Sequence, residues 1–329
     1  MLHACDLLPK HRRGQDRPAF GTDDLWLLLC AAIWGGNAVA SKYILLVLSP
    51  LDVFYVRLLA MALCFGVPLL LWGGLQRQTR PVPWLTLAVG GLFMAGQNAA
   101  FFWGTRLTMA STAALLNSST PLFTVVLSAA CGLESFRRRN WVGLGLSMAG
   151  VALVMFGAPY FKGNYAPAPL LGDAVSLLSS VFFALFILTT KRAVEELGAL
   201  LVLGVGYSVA ALVMLPGAFV VLPRVPWETL TAVQWWVLAY PALAAGAFTF
   251  MVYFWVIGRA SAVRTSLYQY LVPVLAVIAA YFLLHEALHP WQYLGMALAL
   301  VGIYLARPPR GEVDSHQSTV ASGEPSPVP

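Results

Sequence analysis

The sequence predicts an all-α membrane protein: ten transmembrane helices arranged as two five-helix repeats of inverted topology, with both termini cytoplasmic. Three observations carry that expectation. Of 329 residues, 59% are hydrophobic and only 10% charged, against roughly 25% charged in soluble domains, so a water-facing surface cannot be built and a soluble enzyme is excluded. The chain breaks into ten long uncharged stretches, and its second half repeats the first. Apolar content this high, with a mean hydropathy of +0.75, also excludes a disordered chain.

The ten stretches run over residues 25–41, 58–76, 81–105, 107–133, 140–161, 174–190, 197–223, 229–258, 265–285 and 287–306. Each is long enough for a helix to cross a hydrocarbon core, which takes about 20 residues. Strands of a barrel need only about 10 residues, and backbone groups in lipid are satisfied only by helices or a closed barrel, so ten helices is the reading. Residues 1–24 hold Lys10, Arg12, Arg13 and Arg17 without an apolar core of their own, so they are expected to form a cytoplasmic tail ahead of a retained first anchor. Residues 307–329, rich in Pro, Ser and Gly, read as a disordered cytoplasmic C-terminal tail.

Shifting the chain by 152 residues places Trp84 on Trp236, Trp103 on Trp255, Pro121 on Pro273, Glu134 on Glu286, Gly143 on Gly295 and Gly150 on Gly302. At a shift of 149, Lys42 falls on Lys191. The two repeats are expected at 25–158 and 170–306. Because each holds an odd number of spans, the second enters the membrane upside down. Fifteen of the 20 Lys and Arg then lie on the side of the termini, with Arg106, Lys162 and Arg224 opposite and Lys42 and Arg57 within span ends; cytoplasmic loops hold the basic excess, which places both termini inside. The net charge of +6 is therefore a topology signal and no nucleic-acid partner is expected. Inverted five-plus-five repeats imply a transporter that moves a small-molecule substrate by alternating access around a site near the midplane.

The run WGGNAVASK at 34–42, the YVRLLAMA stretch around Arg57, ASTAALLNSSTPLFTVVLS at 110–128 with Glu134, GLGLSMAGVAL at 143–153, and the second-half YQYLVPVLAVIAAYFLLHEAL with GMALALVGIYL carry a further signal. They resemble the EamA-type permeases of the drug/metabolite transporter superfamily, over nearly the whole chain outside the tails. The resemblance implies the fold and a metabolite permease of the cell membrane, while family members move amino acids, other metabolites or drugs in either direction.

Candidate site residues follow from helical spacing. Asn117, Pro121, Thr124 and Ser128 share one helical face, answered by Gln269 and Pro273. Each proline frees the carbonyl four residues before it, so Pro121 and Pro273 are expected to be hinges that present an unpaired carbonyl beside a side-chain amide. Trp34, Asn37 and Ser41 line one face of the first span, and Ser180 and Phe183 lie in the sixth. Gln97 and Phe101 in the third span have counterparts in Thr249 and Tyr253, with Tyr268 nearby. An aromatic wall with scattered amides and hydroxyls suits a neutral, zwitterionic or aromatic-bearing solute. Small hydroxyls such as those of Ser179 and Ser180 read equally as interhelical glue.

No Asp, Glu or His lies in the middle of a span, and ionisable groups there would be functional by default. Facilitated flux or exchange is therefore expected ahead of proton-coupled drug export, the rival reading. Glu134, Glu286, Asp52 and Asp173 lie at helix ends, where carboxylates cap. Lys42 and Arg57 are either snorkelling to the outer headgroups or contacts for a substrate anion. Cys5, Cys30, Cys64 and Cys131 show no metal-ligand or disulfide spacing, and no cofactor or metal is expected. The chain lacks HExxH, GxSxG and an intramembrane aspartate pair, leaving a membrane-embedded enzyme or a non-transporting scaffold as distant alternatives. The expected partners are the lipid bilayer and the solute, with the protein a monomer or a homodimer, and amino acid export is the expected activity.

Overall fold

The computed structural model describes residues 22–71, 81–130, 138–156, 166–257, 271–285 and 289–305. Among them the secondary structure is helical, without a β-strand: α1 (Thr22–Ile44), α2 (Pro50–Leu71), α3 (Trp84–Leu107), α4 (Ala110–Asn117), α5 (Thr120–Ala130), α6 (Arg138–Phe156), α7 (Pro169–Leu197), α8 (Ala199–Val221), α9 (Ala232–Ala242), α10 (Thr249–Ile257), α11 (Leu271–Leu284) and α12 (Pro290–Leu305). Six helical stretches are long and apolar enough to cross a membrane: Thr22–Ile44, Pro50–Leu71, Trp84–Leu107, Pro169–Leu197, Ala199–Arg224 and Ala232–Val256. The others are shorter, and the described helices fall on the apolar segments read from the sequence. Their outer faces carry bare apolar side chains, Leu85 79% and Leu71 78% exposed, a surface made for lipid rather than water.

Local chemistry sets the helix ends. Pro50 opens α2 at the position where a missing N–H costs nothing. Ser49 and Asp52 cap it reciprocally, the Ser49 N–H donating to Asp52 Oδ2 at 2.8 Å and the Asp52 N–H to Ser49 Oγ at 3.3 Å. Thr231 and Gln234 do the same for α9. Within α9 stands Pro241, and from Leu243 to Phe248 the turn widens to a π-helix before α10 continues. Gly198, with φ of 87°, occupies the left-handed region between α7 and α8 that side chains avoid.

Packing runs in matched pairs between the two halves. α1 lies on α11 as α7 lies on α4 and α5, α3 lies on α7 and α8 as α9 and α10 lie on α1 and α2, and α2 packs on α8. The α6–α12 pair is reciprocal. A Cβ on Gly150 would stand 2.4 Å from Ala299 N and 2.6 Å from Gly295 O, and one on Gly302 would stand 2.3 Å from Ser147 N and 2.6 Å from Gly143 O. Positions 143, 147 and 150 thus face 302, 299 and 295 in opposite chain order, so these helices, counterparts at the 152-residue shift, pack antiparallel. Elsewhere small residues bring α1, α4 and α11 together through Ala38, Ala110, Ala114, Ala276 and Ala280.

The fourth span departs from expectation. It is two helices, α4 and α5, separated at Ser118 and Ser119, and Pro121 is the second residue of α5 rather than a kink inside a continuous helix. The break precedes the proline because its ring is compatible with a first helical turn and clashes with the turn before. The second span begins earlier than the charge boundary implied, so Arg57 lies inside α2, about 10 Å along the axis from its start at 1.5 Å per residue. Pro273 is the third described residue of α11, while Tyr268 and Gln269 lie outside the described residues, as do Glu134 and Glu286.

Candidate functional site

At the break between α4 and α5 the bundle leaves a cavity of about 100 Å³. α1 contributes Trp34, Asn37 and Ala38; α2 contributes Arg57; α3 contributes Gln97 and Phe101; α4 and the break contribute Ala114, Asn117, Ser118 and Thr120. Phe183 of α7, Phe250 of α10 and Val272 of α11 complete the wall. A void of about 150 Å³ holds one benzene ring, so a solute with an aromatic side chain fits here only if the walls move.

The aromatic side of this cavity is held by interlocked rings. Trp34 meets Phe250 edge-on at 6.0 Å and Tyr253 at 5.1 Å, and Phe250 meets Phe183 at 5.9 Å. The Trp34 indole N–H donates to Ala245 O at 3.0 Å, inside the widened turn, and the Tyr240 hydroxyl donates to Ile33 O at 2.8 Å. α1 is thereby fixed to the helix that crosses it from the other half.

The polar side rests on the broken helix. The Asn117 amide N–H donates to Ala113 O at 2.9 Å. The Asn117 carbonyl, expected to stand unpaired, is doubly taken: Ser180 Oγ donates to it at 3.0 Å and Thr120 Oγ1 at 2.9 Å. Ser180 also donates to Leu116 O at 2.8 Å, so it caps α4 from α7 instead of facing the cavity. Gln97 Nε2 donates to Ser179 Oγ at 3.3 Å, while Gln97 Oε1, also buried, has no partner.

The two cations part company. Lys42 is fully buried, and its Nζ donates to the carbonyls of Thr105 at 2.8 Å, Arg106 at 3.2 Å and Thr108. Snorkelling to the headgroups is therefore corrected for Lys42: its ammonium satisfies the orphan carbonyls that end α3. Thr108 Oγ1 in turn donates to Asp173 Oδ1 at 2.6 Å. Arg57 does not snorkel either. It is 4% exposed, sits over the Phe102 ring at 5.6 Å, and lines the cavity. Its Nε lacks a hydrogen-bond partner.

Of the residues singled out from sequence, Trp34, Asn37, Arg57, Gln97, Phe101, Asn117 and Phe183 meet in this one cavity. Ser41 is buried against Asn37 Oδ1, at 3.5 Å. Thr124 Oγ1 donates to Thr120 O and Thr249 Oγ1 to Ala245 O, each within its own span and outside the cavity lining. Tyr253 stands behind Trp34. Sequence reasoning missed Ala38, Ala114, Ser118, Thr120, Phe250 and Val272; the SSTP run was the available signal for Ser118 and Thr120, since hydroxyls ahead of a proline cap a new helix. Among the described residues no cluster of His, Cys, Asp and Glu could hold a metal ion.

Comparison with known proteins agrees with this architecture. The chain is 26% identical over 296 residues to the uncharacterized inner membrane transporter YedA of Escherichia coli K12, covering 88% of this chain and 90% of that one. It is 26% identical over 291 residues to an uncharacterized transporter of Synechocystis (83% and 86% covered), and 23% identical over 269 residues to the S-adenosylmethionine uptake transporter of Rickettsia prowazekii (79% and 84%). A solved crystal structure with 20% sequence identity superimposes with a TM-score of 0.57 over 86% of this chain and 96% of that one, a likeness of fold. The EamA-like transporter family model matches twice, at residues 22–156 and 170–307, and the chain belongs to that family of multi-pass membrane transporters.

Proposed function

We propose that this transporter moves a small organic solute, an amino acid or a related metabolite, out of the cell by alternating access around the cavity at the α4–α5 break. Ten spans in two inverted repeats would place that cavity between the halves with both tails in the cytoplasm, and the antiparallel α6–α12 contact supports the inversion. One observation carries the reading: side chains from α1, α2, α3, α4, α7, α10 and α11, contributed by both matched halves, converge on one polar and aromatic cavity. The cavity is smaller than the solute it is proposed to carry, so passage requires the halves to rearrange, as alternating access does. Relatives named as transporters support the class of activity, and the Rickettsia relative is named for uptake of an amino-acid derivative.

The test is flux in proteoliposomes. Protein reconstituted with radiolabelled amino acids on one side should equilibrate at least one of them, and Asn117→Leu should abolish that flux while protein yield holds. If wild-type protein moves no amino acid, amine, sugar or nucleoside under any gradient, the proposal fails. Efflux that alkalinises the lumen against a pH gradient would instead mark a proton-coupled drug exporter. Labelling of the two tails from opposite sides of the membrane would sink the orientation.

A further inference from the structure

We infer that Arg57 is the residue that selects the cargo, by taking its single carboxylate. The inference rests on the transporter reading and narrows its substrate class to apolar or aromatic monocarboxylates, amino acids among them. Arg57 is nine-tenths buried, forms no ion pair among the described residues, and keeps an Nε without a hydrogen-bond partner at the wall of the central cavity. A guanidinium stays protonated in any protein environment, and burying it uncompensated is expensive. The Phe102 face lies 5.6 Å away, a weak partner for a full charge. A positive site that the protein itself does not neutralise is neutralised by what enters.

The size and surroundings of the site say which anion. The other described lining residues are amides, hydroxyls and apolar groups, with Arg57 the one charged residue among the described lining. A guanidinium fork matches one carboxylate bidentately, whereas a phosphate dianion would leave a second charge unmatched. Gln97, on the same wall, keeps a buried Oε1 without a partner, an acceptor that a shift of its side chain would turn to a donor on the cargo. Trp34, Phe101, Phe183 and Phe250 offer the remainder of the solute an aromatic surface. Lys42 does not compete for the anion, because its ammonium is held by the α3 carbonyls.

The experiment compares matched head groups on phenyl, indolyl and isobutyl bodies: the amino acid, its primary amide, its decarboxylated amine and its deaminated acid. Binding to the full-length protein in nanodiscs is read by calorimetry and flux in proteoliposomes. Wild-type protein should bind the two carboxylates at least tenfold more tightly than amide or amine. Arg57→Gln should lose that preference and bind the amide at least as well as the acid, and Arg57→Lys should keep a reduced carboxylate preference. If Arg57→Gln does not yield folded protein, the wild-type and Arg57→Lys head-group ratios decide alone. Equal binding of acid and amide by wild-type protein overturns the inference and leaves the transporter intact, as does flux of only neutral or cationic metabolites in the same liposomes. Absence of flux for every solute overturns the transporter reading itself.

Discussion

Lys42 donates from Nζ to the carbonyl oxygen of Thr105 at 2.8 Å, which fastens the end of α1 onto the last turn of α3. The same ammonium reaches Arg106 and Thr108, and Thr108 links onward to Asp173 at the start of α7, so a buried polar chain ties three helices at one end of the bundle. Its counterpart in the second repeat, Lys191, is exposed. Lys42→Met should therefore cost about 3–5 kcal/mol, the scale for removing one partner of a buried charge network, while Lys191→Met should change stability by no more than about 0.5 kcal/mol. Equilibrium unfolding in a mild detergent checks both. A double-mutant cycle of Lys42→Met with Thr108→Val should return a coupling, since Thr108 takes the ammonium on its carbonyl and holds Asp173 with its hydroxyl.

Ser180→Ala separates capping from solute contact. The hydroxyl donates to Leu116 O and Asn117 O, and after the substitution Leu116 O keeps the Ser119 N–H at 3.1 Å and Asn117 O keeps Thr120 Oγ1 at 2.9 Å. No carbonyl is orphaned, so the loss is that of a single net hydrogen bond, about 0.5–1.5 kcal/mol, and the tie from α7 to the end of α4 that carries Asn117 loosens. The expected outcome is a lower unfolding midpoint together with a raised half-saturation concentration for flux. Unchanged stability with reduced flux would place Ser180 on the solute rather than on the helix.

The all-helical membrane fold was legible because its two signals are long-ranged and redundant: charge-free stretches of membrane length, and repeat pairs such as Gly150 with Gly302. The site was legible where the residue type forces the issue. Asn37, Gln97 and Asn117 are too polar for lipid and Trp34 is too bulky for a close helix crossing, and the four do meet. Hydroxyls were not legible, because Thr124 and Thr249 close bonds to the carbonyls four residues before them, and a threonine so bonded has the same helical spacing as one lining a cavity. Cations were half legible. Membrane-end position did not reveal that Lys42 is fully buried, or that Arg57 stands far enough inside α2 to reach the cavity. Phe250 gave no signal of its own in a run of apolar residues.

Trp34 joins wall and hinge, since its ring contacts Phe250 while its N–H holds Ala245 O. Trp34→Phe keeps most of the ring contact and removes the bond, although Thr249 Oγ1 still serves that carbonyl at 2.8 Å. A loss of about 1 kcal/mol is expected. Trp34→Leu also removes the edge-to-face pairs, worth a further 0.5–1.5 kcal/mol each by order of magnitude. Flux should fall in the order wild type, Phe, Leu, measured in proteoliposomes at matched protein content.

Gly91 and Gly145 provide the sharpest contrast in packing. A Cβ on Gly91 would stand 2.1 Å from the Gly206 carbonyl oxygen and 2.9 Å from Gly206 Cα, backbone that cannot swing aside, whereas a Cβ on Gly145 would meet nothing within 4 Å. α3 and α8 are in contact because neither has a side chain there. Gly91→Ala must push the helices apart, which costs about 1–3 kcal/mol in a filled core and shifts Gln97 and Phe101, farther along α3, relative to the cavity. Gly145→Ala, in an open helical position, should leave stability unchanged or raise it by up to about 1 kcal/mol, because alanine restricts the unfolded chain. Thermal unfolding of the two variants side by side checks the contact, and a Gly91→Ala variant as stable as wild type would mean that α3 and α8 do not touch at this point.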